Sequence, residues 1–112
     1  MTDDRTGDQL LQMLSALANP HRLRILAALS ARQAYVSELA RELGISRPLL
    51  HMHLQTLQKA GLVVGRHEVS ADGKALRYYE VAAFDEQLTP KRVTEAANSL
   101  SPDKEPDGKV KR

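Results

Sequence analysis

The chain has 112 residues, a formal net charge of +2, no cysteine and an aromatic content of 4%. This length suits one domain with a small core, and the missing thiols exclude disulfides, thiolate metal ligands and thiol-redox sensing. Three tyrosines and one phenylalanine supply few stacking platforms for single-stranded nucleic acid. Apolar runs are broken by Arg or Ser well before a membrane-spanning length, and no signal peptide is visible, so the expectation is a cytoplasmic protein without membrane contact.

Residues 1–8, with Asp3, Asp4 and Asp8 against Arg5, read as a flexible N-terminus, and residues 9–100 as one domain. Leu10, Met13, Leu14 and Leu17 form the apolar stripe of a first helix. Asn19 and Pro20 are a good cap and first-turn pair for a second. From Val36 to Val64 the pattern is helix, tight turn, helix and strand. Val36, Leu39, Ala40 and Leu43 share one face of the earlier helix, Gly44 ends it, Ile45 plugs the turn and Ser46 is placed to cap the next. Pro48 is tolerated in that first turn because the amide there has no intrahelical partner to lose. Leu50, Leu54 and Leu57 then share one side, while Pro48, His51, Met52, Gln55, Gln58 and Lys59 fall on the other, a face short of carboxylates. A helix with such a face, handing directly to an apolar strand, has the form of a recognition helix.

Leu62 to Glu68 and Leu76 to Val81 are β-rich runs joined through Asp72-Gly73, which reads as an antiparallel hairpin. Its arms carry Arg66 and Arg77 and its tip Lys74, cations suited to phosphates or a minor groove. The plainer alternative is a set of solvated strand positions. Thr89 and Pro90 open a last helix running through Val93, Ala96, Ala97 and Leu100. Residues 101–112, rich in Pro, Asp, Lys and Gly, read as a disordered tail whose Lys109 to Arg112 end could add loose phosphate contact.

The motifs LSALANPHRLRILAAL, VSELARELGISRPLLHMHL, LQKAGLV and RYYEV, in that order and with those gaps, resemble the ArsR-type (arsenic-repressor-like) family of winged helix-turn-helix transcriptional regulators. The resemblance covers about Leu10 to Phe84. It implies a mainly α fold with a small antiparallel β-hairpin, and double-stranded DNA as partner. Ser46, Arg47, Pro48, His51, Met52 and Gln55 inherit the groove-facing role, and Arg66, Lys74 and Arg77 hold the backbone. Gln55 can pair bidentately with adenine, Arg47 can address guanine or a phosphate, and Pro48 and Met52 offer apolar contact to a thymine methyl. The resemblance also implies a homodimer joined through the first and last helices, with Leu10, Met13, Leu14, Leu17, Val93, Ala96, Ala97 and Leu100 at the interface.

Departures from the family bear on mechanism. Where metal-sensing members carry a cysteine pair, this chain has Tyr35, Val36, Ser37, Glu38 and Leu39. The Asp and His site of the family's last helix is also lacking, since Asp85, Glu86 and Asp103 follow Phe84 without a histidine. Elsewhere, His51 and His53 point about 200° apart on a helix; His53 is expected to pack beside Leu57 or bond to backbone, His51 to face DNA, His21 to pack locally and His67 to lie in the wing. No metal, cofactor or catalytic site is expected, and no phosphate loop or nucleophile elbow occurs. The expected function is a sequence-specific, homodimeric repressor of unassigned effector. The alternative from another class is a winged-helix adaptor that docks a protein through Pro48, Leu49 and Met52.

Overall fold

The computed structural model describes residues 5–102. The expected tail from residue 103 on, with Lys109 to Arg112, lies outside the described residues, as do Asp3, Asp4 and Asp103. The elements are α1 (Gly7–Leu17), α2 (Pro20–Ala31), β1 (Ala34–Tyr35), α3 (Val36–Leu43), α4 (Arg47–Lys59), β2 (Val63–Val69), β3 (Ala75–Val81) and α5 (Pro90–Asn98). The described residues group into two compact units, residues 13–84 and the terminal segments, residues 5–12 with 85–102. This division falls inside α1 and after the hairpin.

In the larger unit local signals place the helices. Asn19 Oδ1 accepts from Arg22 N at 3.1 Å to cap α2. Gly44 ends α3 in the left-handed conformation, φ 69°, and Ile45 N reaches back to the Ala40 carbonyl at 3.2 Å. Ser46 Oγ accepts from Leu49 N at 3.2 Å to open α4. Gly61, φ 78°, closes α4 while Leu62 N bonds to the Leu57 carbonyl. The buried side chains of Ile25, Leu39, Leu50, Leu54, Leu57 and Leu62 make the core.

The expected hairpin is present, with Gly65 opposite Tyr79 and His67 opposite Arg77. It is part of a three-stranded sheet, order β1-β3-β2, because Ala34 and Tyr35 pair with Tyr79 and Tyr78. A two-residue strand has too little sequence to show a period, so the sequence reading missed it. Tyr79 is buried and its ring lies across Gly65, where an added Cβ would come within 2.6 Å of ring carbon Cε1. Glycine at 65 is what lets that ring cross its partner strand.

In the terminal unit Thr6 Oγ1 accepts from Gln9 N at 3.2 Å, while Thr6 N donates to Gln9 Oε1 at 3.0 Å. The carboxylate of Glu86, 2% exposed, accepts from Arg92 Nε at 2.7 Å and lies 3.7 Å from Arg5 Nη1. The expectation of a flexible N-terminus through residue 8 is corrected from Arg5 onward, because capping and ion pairing tie these residues down. Gly7 sits against the backbone of α5, where a Cβ would overlap the Ala96 carbonyl oxygen. The last helix ends at Asn98 rather than Leu100, with Ser99 as its cap. Leu10, Met13 and Ala96, expected to meet a partner, are buried within the single chain. Leu14 and Leu17 are half-buried, whereas Val93, Ala97 and Leu100 are exposed.

Candidate nucleic-acid interface

The outer side of α4 is open. Arg47, Pro48, Met52, Gln55, Gln58 and Lys59 are exposed and His51 is half-buried, while Leu50, His53, Leu54 and Leu57 turn inward. Ser46 is exposed as well, with its oxygen engaged in the cap. All six groove-facing residues named from the sequence therefore lie at the start or along the free side of one helix.

The hairpin beside it has two unlike faces. Tyr78, Glu80, Arg66 and Glu68 share one face, because directly opposed residues point the same way. There Arg66 is 3.0 Å from Glu80, 3.6 Å from Glu68 and 3.1 Å from Gln33 Oε1, with its guanidinium 4.9 Å from the Tyr78 ring centroid. The other face carries Tyr79 into the core and, beyond it toward the tip, His67, Arg77, Val69 and Ala75. Val69 is the most exposed large apolar residue described, at 75%.

The tip is built by its own sequence. Gly73 takes φ 86°, Ser70 Oγ donates to the Asp72 carboxylate, and Lys74 N donates to Ser70 Oγ at 3.1 Å. The hydrogen bond from Ser70 holds the Asp72 carboxyl below its ordinary pKa, and the Lys74 amide acts in the same direction. The turn is thereby anchored through Asp72, which leaves the Lys74 side chain to project.

Between this tip and the starts of α3 and α4 lies a cleft of about 420 Å³ lined by Tyr35, Val36, Ser37, Arg47, Lys74, Ala75, Leu76 and Arg77. Among the described residues no carboxylate lines it. The acids that could neutralise it are engaged elsewhere: Glu42 and Glu38 with Arg32 at 3.1 and 3.9 Å, and Glu68 and Glu80 with Arg66. The side chains of Arg47, Lys74 and Arg77 make no hydrogen bond or ion pair with described residues. Three uncompensated cations around a concave surface concentrate positive potential in the cleft. Sequence reasoning named these three separately but missed Ser37, whose place on the cleft wall depends on how α3 meets the hairpin.

The histidines divide as their faces require, with one addition. His53 is buried on the inner side of α4 with Leu57, and its hydrogen-bond partner is a side chain rather than backbone: Nδ1 lies 3.1 Å from Arg22 Nη1, and the His21 ring is 5.4 Å away between centroids. Burial first, then the charge of Arg22 and the neighbouring His21, lower the His53 pKa from its ordinary value. Among the described residues no three His, Asp or Glu side chains converge as a metal ion would need.

Helices α3 and α4, joined by a glycine turn and followed by a basic hairpin, define a winged helix-turn-helix protein. Residues 17–66 match a helix-turn-helix domain family. The chain is 37% identical over 76 residues to an uncharacterized HTH-type transcriptional regulator of Methanocaldococcus jannaschii, covering 67% of this chain and 78% of that protein. It is 34% identical over 85 residues to the transcriptional activator HlyU of Vibrio cholerae, covering 76% and 79%. Among solved structures, the homodimeric winged helix-turn-helix DNA-binding domain of a possible ArsR-family transcriptional regulator from Mycobacterium bovis aligns with a TM-score of 0.61 at 33% identity, over 68% of this chain and 66% of that one. The chain belongs to the ArsR-type family of winged helix-turn-helix transcriptional regulators. No helix among the described residues is long and apolar enough to cross a membrane.

Proposed function

We propose that the protein acts as a homodimer that binds a palindromic duplex operator and represses transcription by occluding the transcription machinery. The observation that carries this reading is the carboxylate-free cationic cleft beside the open side of α4. Residues 9–100 form the functional domain. Gln55, His51 and Arg47 read base edges, Pro48 and Met52 give apolar contact, and Ser46 and Ser37 offer hydroxyls to phosphate. Lys74 and Arg77, with Arg47 where it does not reach a base, neutralise the backbone. Arg66, named with them from the sequence, is assigned to holding the wing, since Glu80, Glu68 and Gln33 already occupy its guanidinium.

The dimer is supported by the apolar residues that the terminal unit leaves exposed. Leu11, Leu88, Val93 and Leu100 are 45%, 54%, 52% and 38% exposed, apolar surface that a partner copy would cover. The homodimeric state of the Mycobacterium bovis domain agrees with this. A two-fold pair would set two α4 helices against successive major grooves.

The test is selection from random duplex DNA, followed by affinity for the enriched sequence against salt. A palindrome with half-sites about one helical turn apart and a steep salt slope is expected, and Gln55→Ala should relax preference at one position of each half-site. Absence of any enriched sequence overturns the reading and favours docking of a protein through Met52 and Pro48. HlyU is named an activator, so the sign of regulation is read separately, from a reporter driven through the selected operator.

A further inference from the structure

Helix α4 carries one buried polar side chain, and that side chain faces a guanidinium. His53 is 5% exposed and its Nδ1 is 3.1 Å from Arg22 Nη1. Arginine has donors and no acceptor, so Nδ1 must accept and the ring proton sits on Nε2. That Nε2 is buried without a hydrogen-bond partner among the described residues. The same guanidinium donates through Nε to the Ala16 carbonyl at 2.6 Å and through Nη2 to the Ser15 carbonyl at 3.5 Å. One planar fork on α2 thus joins the carbonyl end of α1 to the middle of α4.

Stability gives no reason for this choice. A leucine at 53 would continue the inner row of Leu50, Leu54 and Leu57, and it would avoid a stranded N–H, which costs roughly 1–3 kcal/mol. What the histidine supplies is direction. Apolar burial scales with area and is nearly indifferent to small rotations of a helix about its axis, whereas a hydrogen bond weakens steeply off line. His51 and Gln55 lie two residues either side of His53 and project from the opposite side of α4. The azimuth at which they meet a groove is therefore set where His53 is held.

We propose that the Arg22–His53 hydrogen bond is a positioning link that fixes the rotation of the recognition helix relative to the end of α1, and through it operator discrimination. This rests on the DNA-binding reading given above.

The test uses the full chain and three variants: His53→Leu, which removes the acceptor; Arg22→Lys, which keeps the charge but not the fork; and His53→Gln, whose amide oxygen can accept in place of Nδ1. Affinity is measured for the selected operator and for a random-sequence duplex of equal length. His53→Leu and Arg22→Lys should lose about tenfold or more on the operator while random-duplex affinity stays within about twofold, and His53→Gln should recover most of the ratio. Nitrogen NMR of the wild type should show His53 protonated at Nε2. An unchanged ratio, a parallel fall in both affinities, or a proton on Nδ1 would overturn the link. If His53→Leu fails to fold, Arg22→Lys decides. A wild type without operator preference removes the DNA reading and this proposal together, whereas preference with an unchanged ratio in the variants removes this proposal alone.

Discussion

The two faces of the wing hairpin carry similar residues to opposite ends. On one face Arg66 is enclosed by Glu80, Glu68, Gln33 and the Tyr78 ring. On the other, Arg77 stands opposite His67, forms no ion pair with a described residue and opens on the cleft shared with Arg47, Lys74 and Ser37. Each arginine lies in the middle of its strand, one on β2 and one on β3, and composition cannot rank them. What separates them is whether the strand register delivers a carboxylate to the same face. A cation already neutralised must break an ion pair before meeting a phosphate, while an uncompensated one releases counterions at once. Free charge, rather than charge, marks the candidate interface.

The strongest break of this comparison removes the open set. Replacing Arg47, Lys74 and Arg77 together by alanine should weaken duplex DNA binding by about a hundredfold at moderate salt and reduce the slope of log affinity against log salt by about 1.8 where Arg47 reads a base and about 2.7 where it meets a phosphate, at roughly 0.9 for each phosphate no longer neutralised. A titration of affinity against salt reads both quantities. An unchanged slope would place the phosphate-binding residues elsewhere.

The support beneath both faces comes next. Gly65→Ala drives a methyl into the Tyr79 ring, so the hairpin must shift or the ring must turn out of the core. We expect a loss of about 1–3 kcal/mol in urea unfolding, with the slope of the transition kept. Full stability in this variant would mean that the ring has another place to go.

Smaller still is the effect of the satisfied face. Arg66→Ala removes ion pairs that are more than a third exposed, worth less than about 1 kcal/mol in total. DNA affinity should change by no more than about twofold and the salt slope by much less than one. A drop matching that of Arg77→Ala in a parallel titration would erase the distinction between the faces.

The mildest test is a pH titration of stability, which carries the same contrast between satisfied and free groups into the core. His53 has its pKa lowered from the ordinary 6.5 by burial, Arg22 and His21. Between the lowered folded value and 6.5 the ring is therefore mostly neutral in the folded state and mostly protonated in the unfolded one. The His53 contribution is constant above pH 6.5 and stability is lost as pH falls from there through the lowered folded value. His53→Gln should flatten this part of the profile, and a decline that persists unaltered in the variant would assign it to other groups.

Much of the fold was legible because its signals are local. Asn19-Pro20, Gly44, Ser46-Arg47-Pro48, Asp72-Gly73 and Thr89-Pro90 each act on backbone within a few residues, through capping, a fixed φ or a left-handed turn. The outward residues of α4 were legible for the same reason, since helical period sorts Leu50, Leu54 and Leu57 from Met52 and Gln55 without reference to the rest of the chain. Ala34 and Tyr35 were not, because their strand character comes wholly from pairing with β3. The dimer set drawn from the first and last helices mixed two populations, and only burial separates Leu10, Met13 and Ala96 from Val93 and Leu100.

From the sequence alone come the order of the helices and the hairpin, the helix-turn-helix with its wing, the open side of α4 and the family resemblance. All of these depend on periodicity, caps and turns, which are properties of neighbours in the chain. Tertiary structure decided which cations remain free, that Ser37 joins Arg47, Lys74 and Arg77 around one cleft, that Tyr79 requires glycine at 65, and that Arg22 reaches His53 across 31 positions. Each of those is a meeting of residues distant in sequence, and whether a charge is neutralised or a buried nitrogen finds its donor depends on distances that packing alone sets.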